Sequence, residues 1–198
     1  MAVTKTVDPD KINFAVDEGV TLLGENRVQE YLSKKDSYDS SAEVHMIGHL
    51  QTNKVKYIID SVTMIQSVDS LKLASEIDRL AKKHNKVMDV LIEVNIGEEL
   101  SKSGIGSEQL MTLAEQISEL DGLRLRGLMA IPPIGAEEGI YARMKELYET
   151  LKAKDLPNSV IDTLSMGMSG DYKLAVKHGS NLVRIGSGLF GARDYSKK

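Results

Sequence analysis

Apolar and polar positions alternate along the chain in two patterns. Short, nearly continuous apolar runs predict strands buried on both faces of a parallel sheet. They are "AVT" (2–4), "TLLG" (21–24), "VHMIG" (44–48), "VTMIQS" (62–67), "VMDVLIEVNI" (87–96), "LRGLMA" (125–130), "VIDTLSM" (160–166) and "NLVRIG" (181–186). Between them, apolar residues recur three and four apart, the spacing of one helix face. Asp8 before Pro9 predicts a helix start, with Ile12, Ala15 and Val16 as its stripe and Gly19 as its stop. A second stripe after Asp69 uses Leu71, Ala74, Ile77 and Leu80, and a third after Ser107 uses Leu110, Leu113, Ala114 and Ile117. A fourth uses Ile140, Met144, Leu147 and Leu151, and Asn26 and Thr52 are placed to cap shorter helices.

Eight strands alternating with helices predict a parallel α/β architecture, and that number closes a (β/α)8 TIM barrel. A doubly wound open sheet is the rival. The 198 residues suit one domain, 1–198, with no linker or repeat to divide it. No apolar run approaches the ~20 residues of a membrane helix, so no membrane association is expected. No signal-like start appears, which points to a cytoplasmic protein. Zero cysteines exclude disulfides and thiol nucleophiles. A net charge of −4 with dispersed basic residues gives no footprint for nucleic acid.

In such barrels the reactive groups sit at the C-terminal ends of the strands. Lys5 ends the first strand, and a lysine amine there could capture an aldehyde as a Schiff base. A lone lysine at a strand end is more often simply solvated, but the last two loops favour chemistry. "SMGMSGD" (165–171) leads into a short helical pattern with Leu174, Ala175 and a Gly179 stop, so Ser169 and Gly170 stand at a helix start that favours a phosphate. "RIGSG" (184–188) places Gly186 where backbone amides can approach an anion. Loops after strands seven and eight form the usual phosphate cup of this barrel. "GSGLFG" (186–191) matches a dinucleotide fingerprint in letters only, because seven residues follow it. His45 and His49 lie in an extended segment without a carboxylate cluster, so packing or a ligand contact is expected there rather than a metal.

With these residues assembled, the chain resembles the pyridoxal phosphate homeostasis proteins. The matching stretches are "AVTKT" (2–6), "GENRVQE" (24–30), "HMIGHLQTNK" (45–54), "VLIEVNIGEELSKSGI" (90–105), "LRGLMAIPP" (125–133), "LSMGMSGD" (164–171) and "VRIGSGLFGARDY" (183–195). The resemblance implies a barrel like the N-terminal domain of alanine racemase, holding pyridoxal 5′-phosphate (PLP) covalently on Lys5. It implies that Arg184 faces the pyridine nitrogen and that Ser169, Gly186 and Ser187 cup the phosphate beside Met168. Asn26 then lines the ring, and His49 lies on the neighbouring loop. No role follows for "SKSG" (101–104). Members of the family carry a helix and a longer first strand before this lysine, so a barrel lacking that helix, and less stable for it, is expected here.

The function implied is to hold PLP as a reversible imine in intracellular PLP homeostasis, with apo PLP-dependent enzymes as partners and a monomer as the expected state. Two other classes stay open: a racemase-like PLP enzyme of amino acids, and a Schiff-base aldolase acting on a phosphorylated sugar. An arginine at the pyridine nitrogen weakens the ring as an electron sink, and no second base is evident, so the homeostasis reading leads.

Overall fold

The computed structural model describes residues 1–99 and 103–192. Among them, eight parallel strands run in sequence order: β1 Ala2–Val3, β2 Leu22–Glu25, β3 Glu43–Met46, β4 Met64–Val68, β5 Met88–Val94, β6 Leu123–Ala130, β7 Ser159–Met168 and β8 Leu182–Arg184. Each pairs with the next. A bridge from Ala2 to Ile185 joins the ends, with Val3 N–H donating to Ile185 C=O at 2.8 Å. The eight strands thus form a nearly closed (β/α)8 barrel.

Helices α1 Pro9–Asp17, α2 Val28–Lys34, α3 Leu71–Lys83, α4 Leu110–Ser118, α5 Glu138–Lys152, α6 Tyr172–Lys177 and α7 Ser187–Phe190 follow the strands. In α1 the Asp8 carboxylate accepts from Asp10 N–H and Pro9 takes the first turn, so the predicted start stands. The α4 stripe is also as predicted, with Leu110, Leu113, Ala114 and Ile117 all buried.

Four local expectations are corrected. The helix after β2 begins behind Arg27, not Asn26, which remains part of the strand-end loop. Thr52 opens a 3₁₀ segment, Thr52–Tyr57, after Gln51; Val55 and the following Ile58 are both buried at the three-residue spacing that this tighter helix aligns. The α3 cap is Ser70, whose hydroxyl accepts from Leu73 N–H, so Leu71 falls in the first turn and is exposed while Leu73 is buried. In α5 the buried face is turned toward Tyr141, Met144, Tyr148 and Leu151; Ile140 and Leu147 flank it.

The main core lies between sheet and helices, where outward strand residues such as Leu23, Ile65, Val90, Ile92, Leu125 and Leu128 meet the helix stripes. Inside the barrel a small apolar group, Met64, Leu91 and Met129, is packed separately. The remaining interior departs from the branched apolar layers usual in this fold. Gln66 and Ser165 are wholly buried, and His45, Glu93 and Arg184 nearly so. A polar barrel interior costs free energy unless each group is paired, so it directs attention to what the polar groups hold.

Candidate cofactor site

Lys5 follows β1 after one residue, Thr4. Val7 N–H donates to Thr4 C=O at 3.1 Å, which makes Lys5 and Thr6 the central residues of a β-turn. Thr6 takes φ 62°, a left-handed conformation that is uncommon for a β-branched residue. Three contacts from behind the strand hold this turn. Lys34 Nζ donates to Thr4 C=O at 2.9 Å, Thr6 N–H donates to Glu30 Oε1, and Lys34 also pairs with Glu30 at 2.8 Å. Beneath them Glu25 Oε1 accepts from Thr4 Oγ1 at 2.6 Å and from Tyr38 at 2.5 Å, with Lys34 Nζ 3.3 Å away. Burial, reinforced by the Glu25 carboxylate, pushes the Tyr38 phenol up. The network fixes the backbone on both sides of a half-buried lysine at the barrel's C-terminal mouth.

The loops after β7 and β8 meet at the same mouth. Asp171 precedes α6, and its carboxylate folds back rather than capping the helix, Oδ1 accepting from Met168 N–H at 2.6 Å and Oδ2 from Tyr141 at 2.7 Å. That ties down both ends of the short loop carrying Ser169 and Gly170. Ser169 Oγ accepts from Gly188 N–H at 3.0 Å, joining this loop to the start of α7, where Ser187 is exposed. The first amides of a helix have no partner within it and are available to an anion. "GSGLFG" accordingly forms a four-residue helix against Ser169.

Arg184 ends β8 and is buried. Its Nη1 donates to Ser165 Oγ at 2.7 Å and its Nη2 to Ala130 C=O at 2.8 Å. Burial pulls the guanidinium down to about 10, opposed by the charges of Glu93 and Asp171, so it stays charged at neutral pH. Asn26 is half-buried after β2, and its carbonyl would lie 2.1 Å from a Cβ at residue 48, so only glycine fits beside it. His49 follows on that loop, mostly exposed, with Nδ1 3.2 Å from Asp69. His45 points instead into the barrel toward Gln66. Among the described residues no group of three or more metal-ligating side chains forms.

Strand ends therefore bring Lys5, Asn26, His49, Met168, Ser169, Arg184, Gly186 and Ser187 to one mouth. Sequence reasoning missed Glu93 there. Its carboxyl is raised by burial; Oε1 accepts from Ser103 at 2.8 Å, while Oε2 and the strand residue Ser67 Oγ are buried without a hydrogen-bond partner among the described residues. Ser103 belongs to the "SKSG" run, and Gly104 has φ 101° and no room for a Cβ against Asn95 N. Ser101 and Lys102 of that run lie outside the described residues, as do Arg193, Asp194 and Tyr195 of the last matching stretch. A single acid inside an apolar strand, as in "VLIEVN", is the signal that could have found Glu93.

A held lysine, a buried cation, two meeting loops rich in glycine and buried unpartnered oxygens suit a phosphorylated aromatic aldehyde. Comparison with known proteins agrees with the class. The family described as "Alanine racemase, N-terminal domain" matches residues 1–194. Pyridoxal phosphate homeostasis proteins of Haemophilus influenzae and Escherichia coli are 43% and 41% identical, over 99% and 100% of this chain and 85% and 87% of theirs. The structure of PipY from Synechococcus elongatus with PLP bound is similar at TM-score 0.86 and 32% identity, covering 96% of this chain and 91% of that one. The fold is thus that of the alanine racemase N-terminal domain. Within that class, the chain belongs to the pyridoxal phosphate homeostasis protein family.

Proposed function

We propose that this chain binds PLP at the C-terminal mouth, covalently through Lys5, and takes part in PLP homeostasis in the cytoplasm. The observation that carries the reading is the convergence of the Lys5 turn, Arg184 and the Ser169–Gly188 junction at one mouth. When bound, PLP supplies an aldehyde that a lysine amine captures reversibly with loss of water. The chain's own residues do the rest. Lys34 and Glu30 hold the turn so that Lys5 projects into the mouth. Ser169, Ser187 and the amides from Gly186 bind the phosphate, and Met168 and Asn26 line the ring, with His49 on the rim. Arg184 donates to the pyridine nitrogen and stays charged, so the nitrogen remains unprotonated. That favours storage and supply over turnover of amino acids, with a monomer passing PLP to apo-enzymes.

The test is borohydride reduction of the PLP-loaded protein followed by peptide mass spectrometry. The pyridoxyl adduct is expected on Lys5, and Lys5→Ala should lose it while binding weakens only in part. Pyridoxal without phosphate should bind at least about tenfold more weakly, since charge-assisted hydrogen bonds contribute ~1.5–3 kcal/mol each. An adduct chiefly on another lysine, or equal affinity for the two compounds, overturns the assignment.

A further inference from the structure

A buried hydrogen-bond chain crosses the barrel from one mouth toward the other. Arg184 Nη1 meets Ser165 Oγ at 2.7 Å, Ser165 Oγ meets Gln66 Oε1 at 2.7 Å, and Gln66 Nε2 meets His45 Nδ1 at 2.8 Å. Exposure is 3% at Arg184, 0% at Ser165 and Gln66, and 6% at His45. The far end is not sealed. His45 lines a cavity of about 420 Å³ at the N-terminal mouth, together with Glu43, Asp89, Arg126 and Asp162.

The direction of every link follows from chemistry. A guanidinium can only donate, so Ser165 oxygen accepts from Arg184. The one hydroxyl proton of Ser165 then goes to Gln66 Oε1, which turns the Gln66 amide N–H toward His45. His45 Nδ1 must therefore accept, and its ring proton sits on Nε2, the edge left for the cavity. Burial keeps the imidazole neutral, pulling it down to about 4 against the charge of Asp89.

We propose that Ser165, Gln66 and His45 are positioning residues that set the orientation of Arg184, and that this orientation responds to the proton placement of His45 in the far cavity. The cofactor end of the proposal rests on the PLP reading above; the chain itself does not. A proton on Nδ1 would force Gln66 to turn its oxygen toward His45 and its amide toward Ser165. Ser165 would then receive two donors, and its own proton would lose its acceptor. Two discrete arrangements result, and only one leaves the Ser165 hydroxyl proton with an acceptor and Ser165 Oγ with Arg184 as its one donor; in the other Arg184 shares that oxygen with the Gln66 amide. An arginine held at 2.7 Å on one nitrogen and 2.8 Å on another has its remaining N–H groups aimed by those two contacts. Loosening the Ser165 contact releases that aim.

Two variants and one spectrum test this on the full chain. In ¹⁵N-histidine-labelled protein without cofactor, His45 is expected as the Nε2–H tautomer. Gln66→Glu presents two acceptor oxygens, so it should move the His45 proton to Nδ1 yet keep Ser165 and Arg184 in place. Gln66→Leu removes both links. With PLP, Gln66→Glu should keep the wild-type visible band and an affinity within about threefold, whereas Gln66→Leu should shift the band and weaken binding about tenfold. Circular dichroism checks that both are folded. An Nδ1–H tautomer in the wild type overturns the proposal without any variant. So does a folded Gln66→Leu protein with wild-type band and affinity. If the wild type itself takes up no PLP, the functional reading fails while the tautomer measurement still judges the chain.

Discussion

Lys34 is the last residue of α2, where its letter suggests an ordinary solvated helix lysine. The fold buries it instead, at 8% exposure, because the β1 turn closes over its stem and supplies Thr4 C=O as an acceptor. Nothing in the local pattern announces this, since the acceptor lies 30 residues away in the chain. Lys5 was legible because a strand end and two glycine-rich loops fall at fixed places in a barrel. The residues that hold Lys5 were not, because their partners come from other elements. Lys34→Met should cost about 3 kcal/mol, leaving Glu25, Glu30 and the Thr4 carbonyl without their shared donor. Urea melts should show a lower midpoint with an unchanged slope. An unchanged midpoint would show that the ammonium contributes no net stability.

Helix α3 shows where periodicity works and where it slips by a residue. The sequence stripe named Ala74, Ile77 and Leu80, and all three are buried. It also named Leu71, which is exposed, and passed over Leu73 and Ala81, which are buried. The reason is the cap. With Ser70 bonding Leu73 N–H, the first residue of the helix is left exposed, and the apolar face begins two positions later. Spacing of three and four cannot by itself fix the angular origin of a face, which packing then sets. The same ambiguity turned α5 onto its tyrosines, whose hydroxyls reach Asp171 and Ile161 C=O. A paired measurement on α3 separates the two leucine-type positions. Ile77→Ala, at 0% exposure, should lose ~2–5 kcal/mol. Leu71→Ala should stay within about 0.5 kcal/mol of wild type. Similar losses at both would mean that the face lies where the sequence stripe drew it.

At the scale of the whole molecule, the barrel was legible because eight apolar runs separated by helical stripes admit few parallel topologies. The polar character of its interior was not. Ser165 and His45 stand as single polar letters inside apolar runs and Gln66 is one of a Gln-Ser pair, and only the closed sheet turns all three inward onto one line with Arg184. That interior gives the fold a pH dependence of known sign. His45 has an ordinary value of 6.5 and is pulled down to about 4, chiefly by burial, with Arg126 adding to the shift and Asp89 opposing it. The unfolded chain therefore binds a proton near pH 6.5 that the folded chain refuses until about pH 4. Stability from this group is complete above 6.5, is lost as pH falls through that window, and changes no further below it. At ~1.4 kcal/mol per pH unit the window is worth roughly 3 kcal/mol. His45→Gln keeps an acceptor for the Gln66 amide and removes the titration. Denaturant melts at pH 7.5 and pH 4.5 should show wild type losing about 2–3 kcal/mol more than His45→Gln across the same interval. Equal losses in the two proteins would mean that His45 is not held neutral by the barrel, and that the acid destabilisation arises at other groups.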